Sequence, residues 1–117
     1  MHQYKRDSAC LFCKIIGKEI PSAIVKESDN FVAIRDISPQ APTHILVLPK
    51  NHLTDITQAD NAQELGKYFQ AATEIAKEEN LTNGFRLVVN TGAQSGQTVF
   101  HLHIHILGGR EMLWPPG

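Results

Sequence analysis

Three histidines at alternate positions, His101, His103 and His105, carry the spacing in this 117-residue chain that most directly implies chemistry. Successive side chains of a strand alternate faces. All three imidazoles therefore project to one side, and Leu102, Ile104 and Ile106 to the side that packs on a core. The histidine-bearing side is then an accessible or pocket-lining face. Half of the chain's six histidines lie within these five residues. A single histidine reads most simply as a satisfied structural residue; three at this spacing beside a glycine-rich loop do not. Two chemistries suit the array. One is metal binding by imidazoles that share an ion. The other is nucleophilic attack at phosphorus, for which a neutral imidazole needs no strong activation. Attack on an α-phosphate gives a phosphoramidate intermediate that water cleaves, while neighbouring imidazoles and loop amides hold charge on the equatorial oxygens. The loop Thr91–Thr98 (TGAQSGQT) offers such amides, because Gly92 and Gly96 let backbone N–H groups approach an anion closely. Asn90 and Thr98 flank it with side-chain donors. Alone, such a loop is more often just a hairpin; directly before three alternating histidines it points to an anion.

The elements that position these residues follow from periodicity and punctuation. Ser8 to about Gly17 reads as a short helix, with Ser8 as N-cap, Leu11, Phe12, Ile15 and Ile16 on one face and Gly17 as the stop. Ala23–Glu27 and Phe31–Asp36 read as strands joined by a turn at Ser28–Asn30. Pro39 and Pro42 keep the next segment out of any ladder. Thr43–Pro49 (THILVLP) is a third strand, apolar enough to be buried on both faces. Asn61 to about Glu79 is a long helix with Leu65, Tyr68, Phe69, Ala72, Ile75 and Ala76 on one stripe. Phe85–Asn90 and Val99–Leu107 complete five strands, the last ended by Gly108 and Gly109. The prolines of the tail Met112–Gly117 exclude regular structure there. The gaps between strands are mostly short. The fold class expected is α+β: a five-stranded antiparallel sheet with one long and one short helix, in a single domain spanning residues 1–117.

Composition bounds the partners. With 42% apolar residues the chain can bury a core, yet a domain this small leaves much surface wet and gains from forming a homodimer. Lys plus Arg is 11 against 12 for Asp plus Glu, so there is no basic footprint for nucleic acid and none is expected as a partner. A phosphate-bearing ligand must be held by local donors. No apolar run is long enough for a membrane span, and the polar start Met1–Asp7 lacks the apolar region of a secretory signal, so a cytoplasmic protein is expected. In a reducing compartment the two cysteines, Cys10 and Cys13, read as a metal half-site or a redox pair rather than a structural disulfide.

The stretch Asn90–Gly109, with GQTVFHLHIHIL inside it, resembles the histidine triad (HIT) superfamily, and the resemblance covers nearly the whole chain. Ile37–His44 (ISPQAPTH) and the ending Gly108–Gly117 (GGREMLWPPG) resemble its Hint branch, the nucleoside phosphoramidase-like histidine-triad nucleotide-binding proteins. The resemblance implies hydrolysis of purine nucleoside 5′-phosphoramidates through a nucleotidyl intermediate on His103. It places His105 against the phosphate oxygens, His101 as a support from within, Thr98 on the leaving amine and His44 as a ring supporting the triad. Asn90 falls near phosphate and ribose, with Gly96 and Gln97 in the loop beside the ligand. Asp36 matches the carboxylate that binds the ribose hydroxyls, though it reads equally as a turn residue ending a strand. Leu11, Phe12, Ile15, Ile34 and Ile37 match an apolar clamp around the purine; spacing alone makes them ordinary core. Trp114 is expected to border the partner subunit's site, or else to pack on its own subunit. Some relatives, the galactose-1-phosphate uridylyltransferases among them, hold a structural zinc with two cysteines and two histidines. The corresponding residues here are Cys10, Cys13, His52 and His101, the alternative being two reduced thiols on the first helix. The resemblance leaves two other functions open: hydrolysis of dinucleoside polyphosphates or mixed anhydrides, and purine-nucleotide binding by an interaction protein with incidental activity.

Overall fold

A computed structural model describes residues 4–117, so the first three residues of the polar start lie outside it. Five strands, β1 (Ile24–Glu27), β2 (Phe31–Arg35), β3 (Thr43–Pro49), β4 (Phe85–Val88) and β5 (Ile104–Gly108), form one antiparallel sheet in the order β1-β2-β3-β5-β4. Helix α1 spans Leu11–Ile16 and α2 spans Ala62–Glu78. No described helix is long and apolar enough to cross a membrane.

Register divides the sheet into two faces. Val47 pairs with Ile104 and Ile45 with Ile106, so these four side chains share a face with Ala33 and Phe31. Helix α2 closes that face with Tyr68, Ala71, Ala72, Ile75 and Ala76. Its first turn is capped by Asn61, whose side chain accepts the Glu64 N–H at 3.0 Å. On the opposite face Leu46 pairs with both Ile34 and His105, and Phe12 and Ile15 of α1 pack there with Val32, Ile34, Leu46 and Leu48. β3 is thus buried on both sides, as its apolar density implies.

Several boundaries differ from the sequence reading. Ser8 does not cap α1. Asp7 instead forms a turn, its carbonyl accepting the Cys10 N–H and its carboxylate the Ala9 N–H, and Cys10 becomes the cap with Sγ accepting from the Cys13 N–H. β2 stops at Arg35 rather than Asp36, and β4 at Val88 rather than Asn90. The largest difference is at β5, which starts at Ile104 and not at Val99, so only His105 of the triad lies in the ladder. The backbone before it is spent elsewhere: the Leu102 N–H donates to the Leu53 carbonyl at 2.6 Å, and the His101 carbonyl accepts from the His103 ring. The alternation itself persists, with Leu102, Ile104 and Ile106 all buried. The histidine face, however, is not open. His101 is fully buried and His103 is 8% exposed, because α1 lies over them.

Candidate functional site

Two groups of side chains meet at the triad. The first joins α1 to the chain before β5. The His101 Nε2–H donates to the Pro49 carbonyl at 2.7 Å, which leaves the Nδ1 lone pair facing Cys10 Sγ at 3.4 Å, Cys13 Sγ at 3.6 Å and His52 Nδ1 at 3.1 Å. Cys13 Sγ also lies 3.4 Å from His52 Nδ1. A tetrahedral zinc ion, with bonds of about 2.3 Å to sulfur and 2.0–2.1 Å to nitrogen, would hold its donors about 3.3–3.8 Å apart. The S–N separations match that and the N–N distance is a few tenths of an ångström short. The Asp7 and Cys13 backbone N–H groups donate to Cys13 Sγ at 3.4 Å and Cys10 Sγ at 3.3 Å, support suited to thiolates. Burial holds His101 at about 4, the neutral form a metal ligand needs, while it pushes the Cys13 thiol up, a cost that a bound cation would offset by stabilising the thiolate. Cys10, Cys13, His52 and His101 therefore fit zinc.

The second group fixes its own protons. The Gln40 backbone N–H donates to His44 Nδ1 at 3.0 Å, so a neutral His44 carries its proton on Nε2. That proton goes to His105 Nδ1 at 2.9 Å, which puts the His105 proton on Nε2. Among the described residues, His105 Nε2 is buried with no hydrogen-bond partner. An unsatisfied buried donor costs about 1–3 kcal/mol, a cost that a ligand acceptor would remove. Asp36 Oδ2 stands 3.5 Å from His44 Nε2, while Oδ1 accepts the Ser38 N–H at 2.8 Å. Asp36, His44 and His105 also bring three donor atoms together as a metal site would. The Gln40 hydrogen bond argues against one there, since an ion would have to displace the His44 proton. His103 has the opposite tautomer to His105. Its Nδ1–H donates to the His101 carbonyl at 2.7 Å, so Nε2 is a bare lone pair. The His103 and His105 ring centroids are 4.9 Å apart, and the Phe12 edge packs on His103 at 5.0 Å and on His101 at 5.9 Å.

This arrangement has a pH signature. Burial, with His103 and His44 adding and Asp36 opposing, pushes His105 down to about 4 from its ordinary 6.5. The unfolded chain takes up the His105 proton near 6.5 and the folded chain only near 4. Its contribution to stability is therefore complete above 6.5 and is lost as pH falls toward 4. Thermal melts across that range should show the melting temperature falling with acid, and His105→Asn should flatten part of the slope.

The remaining expected site residues divide. Phe12, Ile15 and Ile34 sit together in the cluster under α1. Leu11 and Ile37 do not join it, at 45% and 96% exposure. Trp114 is 81% exposed; Arg86 of β4 lies 5.9 Å from its ring centre and donates to the Leu113 carbonyl at 2.9 Å. Asn90 is half-buried, and Thr98 is exposed at a cavity of about 320 Å³ shared with Cys10, Leu11, His52 and Phe100. The loop is less open than its glycines suggest. The Gly96 N–H donates to Ala93, the Gly92 N–H to Gln97 Oε1, and Gln97 Nε2 to the Thr54 and Val99 carbonyls. The Gln97 side chain is thus loop scaffold. Among the described residues, the amides of Gln97 and Thr98 make no hydrogen bond within the protein.

Sequence reasoning passed over three backbone groups that set protonation: the Pro49 and His101 carbonyls and the Gln40 N–H. Only the last left a trace, in the four-residue spacing of Gln40 and His44 across a loop bent by Pro39 and Pro42.

Comparison with known proteins gives a consistent placement. A model of the HIT domain matches residues 17–112. A protein of Arabidopsis thaliana named adenylylsulfatase HINT1 is 49% identical over 115 residues, which cover 95% of this chain and 78% of that protein. The 14 kDa zinc-binding protein of Zea mays is 49% identical over 115 residues, covering 95% of this chain and 90% of that one. Among solved structures, a HIT family hydrolase from Legionella pneumophila Philadelphia 1 superposes with a TM-score of 0.89 at 48% identity, covering 92% of this chain and 99% of that chain.

Proposed function

This chain belongs to the HIT domain family, and from that premise we propose that it hydrolyses purine nucleoside 5′-phosphoramidates by way of a nucleotide held on His103. One observation carries the reading: a buried His103 and a half-buried His105 side by side with opposite tautomers, His103 presenting a lone pair and His105 a buried N–H. A phosphoryl group needs that combination, a nucleophile for phosphorus and a donor for a non-bridging oxygen. His103 Nε2 forms a bond to the α-phosphorus as the P–N bond breaks, and the departing amine gains a proton. Water then attacks the same phosphorus, the His103–phosphorus bond breaks, and His103 is regenerated with release of the nucleoside monophosphate. Thr98 would hydrogen-bond the leaving amine. Asp36 and Asn90 would hold the ribose and phosphate, and Phe12, Ile15 and Ile34 the purine. His101 and His44 act through the rings they position.

A bound zinc would be structural, since four protein ligands close its coordination and leave no place for substrate. Trp114, anchored on edge strand β4, would border the site of a second subunit in a homodimer.

A second reading rests on the Arabidopsis relative's name. Adenylyl sulfate is a mixed anhydride, and the same nucleotidyl-His103 intermediate would form with sulfate departing. Turnover of a fluorogenic adenosine 5′-phosphoramidate, adenylyl sulfate and a diadenosine polyphosphate, measured side by side, separates the readings. The phosphoramidate is expected to give the highest kcat/KM. Preference for adenylyl sulfate would move the function to mixed anhydrides. Binding of purine nucleotides with no turnover of any of the three would leave a binding protein.

A further inference from the structure

The segments Ile37–His44 and Gly108–Gly117 are far apart in the chain, yet the structure ties them at one atom. The Arg110 guanidinium donates through Nε and Nη2 to the Gln40 carbonyl, at 3.2 and 3.1 Å. The other side of that same residue, its N–H, is the group that fixes the His44 tautomer. We propose that Arg110 is a positioning residue for the active site, holding Gln40 so that His44, and through it His105, keeps its proton on the atom that faces the phosphate.

The turn that brings Arg110 there is specific. Gly109 has φ +88°, and a Cβ on it would stand 2.9 Å from Pro42 Cβ, so glycine alone lets the chain leave β5 and fold back against the 36–42 loop. Among the described residues, the Arg110 guanidinium is the one charged group bonded to Gln40. Its side chain donates to the Ser38 carbonyl within the same exposed loop, and Ser38 in turn donates to Asp36. The loop is thus internally bonded but exposed from Ile37 to Gln40, and the Arg110 fork connects it to the end of β5. A cation on the carbonyl side of Gln40 also favours an ordered, well-aimed donor at His44. If Gln40 turns away, the Nδ1 of His44 loses its donor and can take the proton itself. His44 Nε2 then becomes an acceptor facing His105 Nδ1, the proton of His105 moves to Nδ1, and the donor aimed at the phosphate is lost.

The inference rests on the proposed turnover only for its kinetic arm. The structural arm is the imidazole 15N signals of His44 and His105, which report which ring nitrogen carries the proton whatever the substrate. In Arg110→Ala those signals are expected to move toward the other tautomer. The phosphoramidate kcat should fall about tenfold, the worth of one charge-assisted hydrogen bond, with KM nearly unchanged. Arg110→Lys, which keeps a cationic donor, is expected to restore the signals and most of kcat. Unmoved 15N signals in Arg110→Ala would overturn the proposal whatever the rate did. So would shifted signals with an unchanged kcat, or a lysine variant as disturbed as the alanine one. Shifted signals in a protein whose parent turns over no phosphoramidate would leave the positioning role standing and remove the assigned reaction.

Discussion

His103→Asn is expected to lower the phosphoramidate kcat at least about 10⁴-fold while a nucleoside monophosphate still binds, because the variant loses the only atom that would bond to phosphorus. The size follows from the site's division of labour. His105 and the loop amides can still stabilise charge in the variant, so binding and a residual rate survive, as they do when a nucleophile is removed elsewhere. Asparagine retains a side-chain donor that could serve the His101 carbonyl in place of the His103 Nδ1–H. Its smaller volume gives up part of the Phe12 contact, a loss of stability that a melting curve would register separately. Single-turnover kinetics with stoichiometric substrate, together with calorimetric titration of the monophosphate, measure the two properties. A kcat within tenfold of the parent would mean that water attacks directly and that His103 is not the nucleophile.

How far the sequence revealed this site depended on which interactions set each residue. The alternation of Leu102, Ile104 and Ile106 correctly placed these three side chains in the interior, the two isoleucines packing with α2, because burial follows side-chain period whether or not the backbone is in a ladder. The same pattern set β5 too early, since periodicity says nothing about where backbone hydrogen bonds go. The Leu102 amide binds Leu53, and the His103 ring takes the His101 carbonyl. α1 is similar: its apolar face was legible, but its cap was assigned to Ser8 because a serine caps more often than a thiol, while the Asp7 turn delays the start. Leu11 and Ile37, matched to the same apolar clamp as Phe12, Ile15 and Ile34, are exposed where those three are packed, a division that the apolar pattern alone does not carry. The protonation of the histidines was the least legible of all. It is set by backbone atoms of Pro49, His101 and Gln40, and apart from the Gln40–His44 spacing these atoms carry no signature in the sequence.

The protein purified without added metal is expected to carry one zinc ion per chain, and stripping it with a chelator should lower the melting temperature by about 15 °C. α1 has six residues, too few to persist as a helix without external support. Its apolar anchors, Phe12 and Ile15, reach one face of the sheet, and the Cys10–Cys13–His52–His101 cluster is the other attachment. The thiol–imidazole contacts that would remain without the ion are worth about 1 kcal/mol each. An ion present at a thousand times its dissociation constant adds about 4 kcal/mol, and for a domain of this size each kcal/mol moves the midpoint by about 4 °C. Cys13→Ala should reproduce the lower midpoint and no longer respond to chelator. Metal-free protein with a midpoint indifferent to chelator would instead identify Cys10 and Cys13 as reduced thiols packed at the start of the first helix. The effect should also reach His103, the proposed nucleophile. The His101 ring faces the cluster, and its carbonyl accepts the Nδ1–H that keeps His103 Nε2 unprotonated. Phe12, lying between the two cysteines in sequence, packs edge-on against both rings. Loosening the cluster therefore frees the carbonyl that holds the His103 proton on Nδ1, and the 15N signals of His103 should broaden when the metal is removed.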